Sequence, residues 1–177
     1  MISLSLPTHL ENEKAILYPL VAADFELLYQ VASDPAVWAQ HPNKDRWKKE
    51  VFQNFFDGAM QSKGAFKIMD KATQKIIGST RFYDYNPSER SILIGYTFYS
   101  VECWGKGFNP AVKATMLDYI FAYVDQVYLH IGATNFRSQV AVSRLGAEKV
   151  GEEEVAYFKE APKQNFIYVI HKEKWGL

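Results

Sequence analysis

Apolar residues recur along this chain with two periods, and each switch between them marks a change of element. Residues 14–19 read as a short strand, closed by Pro19, which cannot continue a sheet ladder. Asp24 is placed to cap a helix reaching residue 33, with Phe25, Leu28 and Val31 on one face, and Asp34-Pro35 ends it. Residues 37–42 are aromatic and irregular. A helix over 46–61 sets Trp47, Val51, Phe55 and Met60 on an apolar stripe, a pattern that core packing explains. Gly64 then opens a strand at 65–69, and the polar turn 70–74 leads into a second at 75–85, so a hairpin is expected. A turn at Asn86-Pro87-Ser88-Glu89 precedes a third strand at 91–99. Residues 111–124 are helical, 127–132 form a strand, and a helix at 136–145 stops at Gly146. Residues 150–158 and 165–171 read as a last strand pair. The order predicts an α/β (α+β mixed) fold: a mixed sheet with helices on both faces.

Composition narrows the class. At 177 residues with 48% hydrophobic and 15% aromatic content, the chain can bury one core, so residues 1–177 are expected to form a single domain. Twenty basic residues balance 20 acidic ones with no basic block, which leaves no nucleic-acid footprint and points to a small molecule or peptide as partner. Cys103 is the only cysteine, which excludes an internal disulfide and suits a reducing cytoplasm; with no base beside it, an ordinary thiol is the expectation. The stretch from Met1 to Pro7 lacks the basic and apolar regions of a leader, and no run nears the roughly 18 apolar residues of a membrane span. A soluble cytoplasmic protein without membrane contact is expected.

The most informative stretch is Trp104-Gly105-Lys106-Gly107-Phe108-Asn109-Pro110, set between a strand and a helix. Two glycines let the backbone turn with its amides uncovered, and the helix adds the positive end of its dipole, so a phosphate suits the site. A tight strand-to-helix turn would leave the same spacing. Pro110 stands where a dinucleotide fingerprint wants a third glycine, Asp125 precedes the next strand instead of ending it, and Gly107 follows Lys106 where a P-loop needs Ser or Thr. His9, His41, His130 and His171 show no metal-ligand spacing, and no Gly-x-Ser-x-Gly elbow occurs, so neither metal nor serine-hydrolase chemistry is expected.

The loop resembles the pyrophosphate loop of the GNAT acyltransferase superfamily, of pattern Gln/Arg-x-x-Gly-x-Gly/Ala, with Gly107 as the family glycine. Trp104 and Asn109 depart from that pattern in the manner of the RimJ/RimL-like branch, whose Trp-Gly-x-Gly-x-Asn loop this matches. Asn135-Phe136-Arg137-Ser138-Gln139 and the following Gly146-Ala147 resemble the branch's second signature, and the resemblance runs from His41-Pro42 to Gly151. It implies a mostly antiparallel sheet of about seven strands, with the first two helices walling a substrate groove.

The resemblance also implies an activity: transfer of an acetyl group from acetyl-CoA directly to a primary amine, on a protein N-terminus or a small molecule, without a metal. Such a reaction needs a neutral amine, a stabilised oxyanion and a proton for the departing thiolate. By likeness, Thr97, Phe98 and Tyr99 would hold the pantetheine arm. Gly105, Lys106, Gly107, Phe108 and Asn109, beside Trp104, would hold the pyrophosphate. Asn135 is either a cofactor contact or simply a helix cap. Val142 stands where many relatives carry an acidic tyrosine, so Ser138 is the implied thiolate acid. For the base, Glu102 leads Asp84 and His41. A homodimer stays open, as do a non-catalytic CoA-binding sensor or scaffold and a structural protein with no cofactor.

Overall fold

The computed structural model describes residues 4–176; the first three residues of the Met1–Pro7 stretch lie outside that range, as does Leu177. Eight strands form one sheet: β1 (Leu10–Glu11), β2 (Ala15–Pro19), β3 (Ala65–Asp70), β4 (Ile76–Asn86), β5 (Ser91–Tyr99), β6 (Gln126–Gly132), β7 (Glu148–Val155) and β8 (Lys163–His171). Their order across the sheet is β1-β2-β3-β4-β5-β6-β8-β7, and only β5 and β6 run parallel. The eighth strand beyond the expected seven is β1, whose two residues pair with Leu17 and Ile16 and are too few to show a period.

Among the described residues five α-helices accompany the sheet: α1 (Phe25–Ala32), α2 (Pro35–Trp38), α3 (Lys49–Ser62), α4 (Phe108–Ile120) and α5 (Phe136–Arg144). One apolar cluster joins α4 and α5 to the sheet through Val112, Met116, Ile120 and Val142 against Ile92, Ile94 and Leu129. A second joins α1 to α3 through Leu28, Trp38, Phe52 and Phe55 against Phe98. Residues 37–42, expected to be irregular, begin inside the short α2, which Asp34 caps by accepting the Ala36 N–H at 2.9 Å.

Two local expectations shift. Asp24 does not cap α1: its carboxylate accepts the Val21 N–H and pairs with Lys67 at 2.7 Å, a tie that fastens the start of the helix to β3. On α3 the buried face is Phe52, Phe55, Phe56 and Ala59; Trp47 precedes the helix and is 37% exposed. The expected stripe kept Phe55 but placed Val51 and Met60 one position from the buried Phe52 and Ala59, and the helix begins at Lys49 and not at residue 46.

The feature that positions the site is the end of the β5–β6 ladder. It pairs only Ser91, Ile92 and Leu93 with Gln126, Val127 and Tyr128. Beyond that point β5 stays with β4 as far as Tyr99, β6 stays with β8 as far as Gly132, and the two strands part. Tyr96 takes a left-handed φ of 53°, and the β4–β5 register slips between Ser79 and Arg81, so β5 bends where it leaves β6.

Phe52 is fully buried, with the rings of Tyr29 and Phe55 centred 5.6 and 5.4 Å away. Phe52→Ala is expected to lower stability by about 3–5 kcal/mol, read as a drop in urea midpoint with an unchanged slope. A loss below about 1 kcal/mol would mean that the cluster refills the space.

Candidate functional site

Between the parted strands lies a cavity of about 700 Å³ that runs from the Gly107–Pro110 turn, past Thr97 and Ser138, to Tyr157. At its first end Gly105 (φ 73°) and Gly107 (φ 81°) are both left-handed, a conformation that costs glycine nothing and other residues about 1 kcal/mol. A Cβ at Gly105 would meet nothing within 4 Å, so the loop faces open space. The N–H groups of Gly105, Gly107, Phe108 and Asn109 have no backbone acceptor among the described residues, while Pro110 sits in the first turn of α4 and has none to offer. The Lys106 amide turns inward to the Cys103 carbonyl at 3.3 Å, so Lys106 has only its exposed ammonium to give. A second cation, unforeseen, stands beside it: the Lys14 Cε lies 3.6 Å from the Cβ position of Gly107.

Trp104 is a clamp. Its indole N–H donates to the Tyr99 carbonyl at 3.3 Å, and the Arg137 guanidinium lies 3.8 Å over its ring. Arg137 also donates to the Val37 carbonyl at 3.3 Å, and its backbone N–H to Gln40 at 3.0 Å, so α5, the loop and α2 are tied together at the cavity mouth. Asn135, 8% exposed, caps α5 by accepting the Ser138 N–H at 3.2 Å, and it lines the cavity as well. Ser138 also lines it. Phe98 is buried against Trp38 at 4.9 Å, and the buried Tyr99 hydroxyl has no partner among the described residues.

Thr97 brings an unexpected group. Its hydroxyl accepts from Lys113 Nζ at 2.6 Å and meets the Thr80 hydroxyl at 2.8 Å. Lys113 is 4% exposed on the inward face of α4, and burial without an opposing charge lowers its amine from 10.5 to about 7. The sequence carried the signal, since Lys113 precedes Met116 and Leu117 on a helix face that is otherwise apolar.

Of the expected bases, Glu102 and Asp84 are exposed and outside the cavity lining. His41 lines it, but its Nε2 accepts from Arg46 at 3.1 Å and its Nδ1 faces the Asn43 backbone. Burial and the Arg46 charge hold its pKa well below 6.5. His130, on β6, is the histidine that sequence spacing passed over. It lines the cavity, its Nδ1 has no hydrogen-bond partner among the described residues, and Glu153 lies 3.4 Å from its Nε2. Burial lowers its pKa, with the Glu153 and Asp84 charges opposing the shift, so the ring is neutral at pH 7.

The far end of the cavity is aromatic and crossed by arginine. Arg46 is 1% exposed, and its Nε and Nη2 both donate to Glu160 at 2.8 Å. Its guanidinium lies 5.5, 5.0 and 5.7 Å from the rings of Trp38, Phe55 and Tyr157. Arg81, 4% exposed, stacks 3.8 Å over Tyr96.

A family model described as acetyltransferase (GNAT) domain matches residues 14–148. The chain belongs to the GNAT acetyltransferase family. Among solved structures, a GNAT-family acetyltransferase from Bacillus anthracis shares 18% identity at a TM-score of 0.75, over 94% of this chain and 99% of that one. A spermidine N-acetyltransferase from Vibrio cholerae, in complex with CoA and spermine, shares 18% at 0.70, over 92% and 98%. Mycobacterium smegmatis RimJ, in complex with CoA-disulfide, shares 14% at 0.68, over 92% and 84%. No curated protein sequence matches. Family and neighbours together support acetyl transfer, and the neighbours share the fold.

Lys113 sets a pH dependence for this GNAT domain. Between pH 7 and about 10 the unfolded chain holds a proton that the folded chain has lost, so stability rises with pH across that window; below 7 both states are charged and the burial cost is complete. Lys113→Met is expected to raise the melting temperature most at pH 6, with a gain that shrinks from pH 7 towards 10. A gain independent of pH would show that the amine is solvated in the native state.

Proposed function

We propose that this protein is an N-acetyltransferase that moves an acetyl group from acetyl-CoA directly to a primary amine, as a single cytoplasmic domain of the RimJ/RimL-like branch. The observation that carries the reading is the parting of β5 from β6 beside a loop whose four amides lack backbone acceptors. Such amides, two left-handed glycines and the start of α4 fit a pyrophosphate, and the unpaired strand edges fit an amide-bearing pantetheine arm. Bound there, acetyl-CoA supplies an acetyl group activated as a thioester.

The chain's own residues do the rest. Gly105, Gly107, Phe108 and Asn109 hold the phosphates through backbone N–H groups, with Lys106 and Lys14 as nearby point charges. Thr97, Phe98 and Tyr99 offer the free edge of β5, although the Tyr99 carbonyl is taken by Trp104. Asn135 fixes the start of α5, which presents Ser138 to the cavity as the proton source for the thiolate. His130 takes the place expected of Glu102: a neutral imidazole on the cavity wall accepts the amine's proton, and Glu153 orients the ring. A CoA-binding sensor that does not turn over is the alternative, and a thiol-release assay with an amine panel beside a CoA titration separates the two.

Gly107→Val is expected to weaken acetyl-CoA binding about tenfold or more by calorimetry, since it removes close backbone approach and strains a left-handed residue. An unchanged dissociation constant in a variant that still folds overturns the cofactor assignment.

Ser138→Ala should depress kcat by roughly 10²–10⁴ with little change in cofactor affinity, where chemistry limits the rate. Full kcat would hand the thiolate's proton to water or to a backbone group. His130→Asn should cost most near pH 6–7 and progressively less as the solution itself frees the amine towards pH 9. A loss of equal size at every pH removes His130 from the role of base.

A further inference from the structure

We propose that the acceptor end of the cavity selects an amine carrying a single positive charge on a neutral or acidic body, and turns away diamines and polyamines; this rests on the amine-acetylation reading above. Three observations converge on it. First, among the described residues no Asp or Glu lines the cavity, whereas Arg46, Arg137 and Arg144 do. A second ammonium would find no carboxylate to replace its lost water.

Second, the buried charges near the acceptor end do not cancel. Arg46 and Glu160 satisfy each other at 2.8 Å. Arg81 makes no ion pair among the described residues, and the exposed Asp84 acts on it only from a distance: the Arg81 Nη2 donates to the Phe55 carbonyl at 3.3 Å, and its buried Nε has no partner. Burial lowers its pKa only to about 10, so it remains a cation at neutral pH. The neutral His41 adds nothing to offset it.

Third, three aromatic rings that line this end, Trp38, Tyr96 and Tyr157, already face guanidinium groups. Arg81 covers Tyr96 at 3.8 Å, and Arg46 lies over Trp38, Phe55 and Tyr157. An aromatic box attracts cations through its ring faces, and here those faces hold guanidinium groups. The remaining field favours an acceptor whose second group is anionic, then one that is neutral, and last one that is cationic. During transfer the acceptor nitrogen loses two protons, one to the base and one that ends on sulfur, as its bond to the acetyl carbon forms and the carbon–sulfur bond breaks. A remote second ammonium takes no part in that exchange and stays buried and charged throughout.

The test compares kcat/KM for probes of equal length and different charge: 5-aminopentanoate, n-pentylamine and 1,5-diaminopentane, with spermidine alongside. Tetrapeptides whose third residue is Glu, Gln or Lys form a second series. The expected order is acidic, neutral, cationic, with roughly 10–100-fold between neutral and cationic members, as for like charges several ångströms apart at intermediate dielectric. Arg81→Met should shrink that ratio towards one. Should the Met variant fail to fold, Arg81→Gln, which keeps a donor for the Phe55 carbonyl, takes its place. Equal or better turnover of the diamine, or a ratio unmoved by removing the Arg81 charge, overturns the inference and leaves the acetyltransferase reading standing. No turnover of any probe overturns both.

Discussion

A sheet that opens in its middle must find partners for the backbone groups it uncovers, and that constraint organises this molecule. The β5–β6 ladder lasts three residue pairs and then stops, with the unpaired edges inside the fold and not at its rim. The opening is held from several sides. Tyr96 bends β5 away, the Lys113 amine and the Thr80 hydroxyl grip Thr97, and Trp104 ties the end of the strand to the loop that follows. Extending the ladder would have to undo the bend at Tyr96, so the cavity is part of the folded state and not a packing defect.

The two ends of that gap are made of different material. At the loop the backbone is the ligand-facing surface, and side chains matter mainly by being absent, as at Gly105 and Gly107. At the other end the backbone is covered, and aromatic rings interleaved with arginine form the wall. The first surface suits a phosphate on any molecule; the second has a shape and charge of its own. A chain can keep the first surface and change what it binds by altering only the second wall.

Most of the fold was legible because its elements are long and strongly periodic; the strand Ser91–Tyr99 came out with its observed limits, and Gly146 ends α5 in a left-handed turn. The two-residue β1 was not, since a period needs more residues than it has. The loop was legible from glycine spacing and likeness together, and its special backbone is of the kind that glycine announces. The aromatic end of the cavity was hidden because it joins residues remote in sequence, Arg46 to Glu160 and His130 to Glu153. Each is an ordinary polar residue in its own segment, and only the packing of the segment before α3 on the 157–160 turn, and of β7 beside β6 across β8, brings them together. Glu102 follows β5 closely in sequence, yet the turn after that strand carries it outward into solvent.

Lys113 links the cavity to the energetics of folding in one more way. An amine that is charged in the unfolded chain and neutral in the native one is a proton released on folding, at any pH between about 7 and 10. The buffer takes up that proton, and the heat of doing so joins the heat of folding. Calorimetric enthalpies of this protein near pH 8.5 therefore belong to the protein and its buffer together, and measurements in phosphate and in Tris describe two different reactions of the same chain.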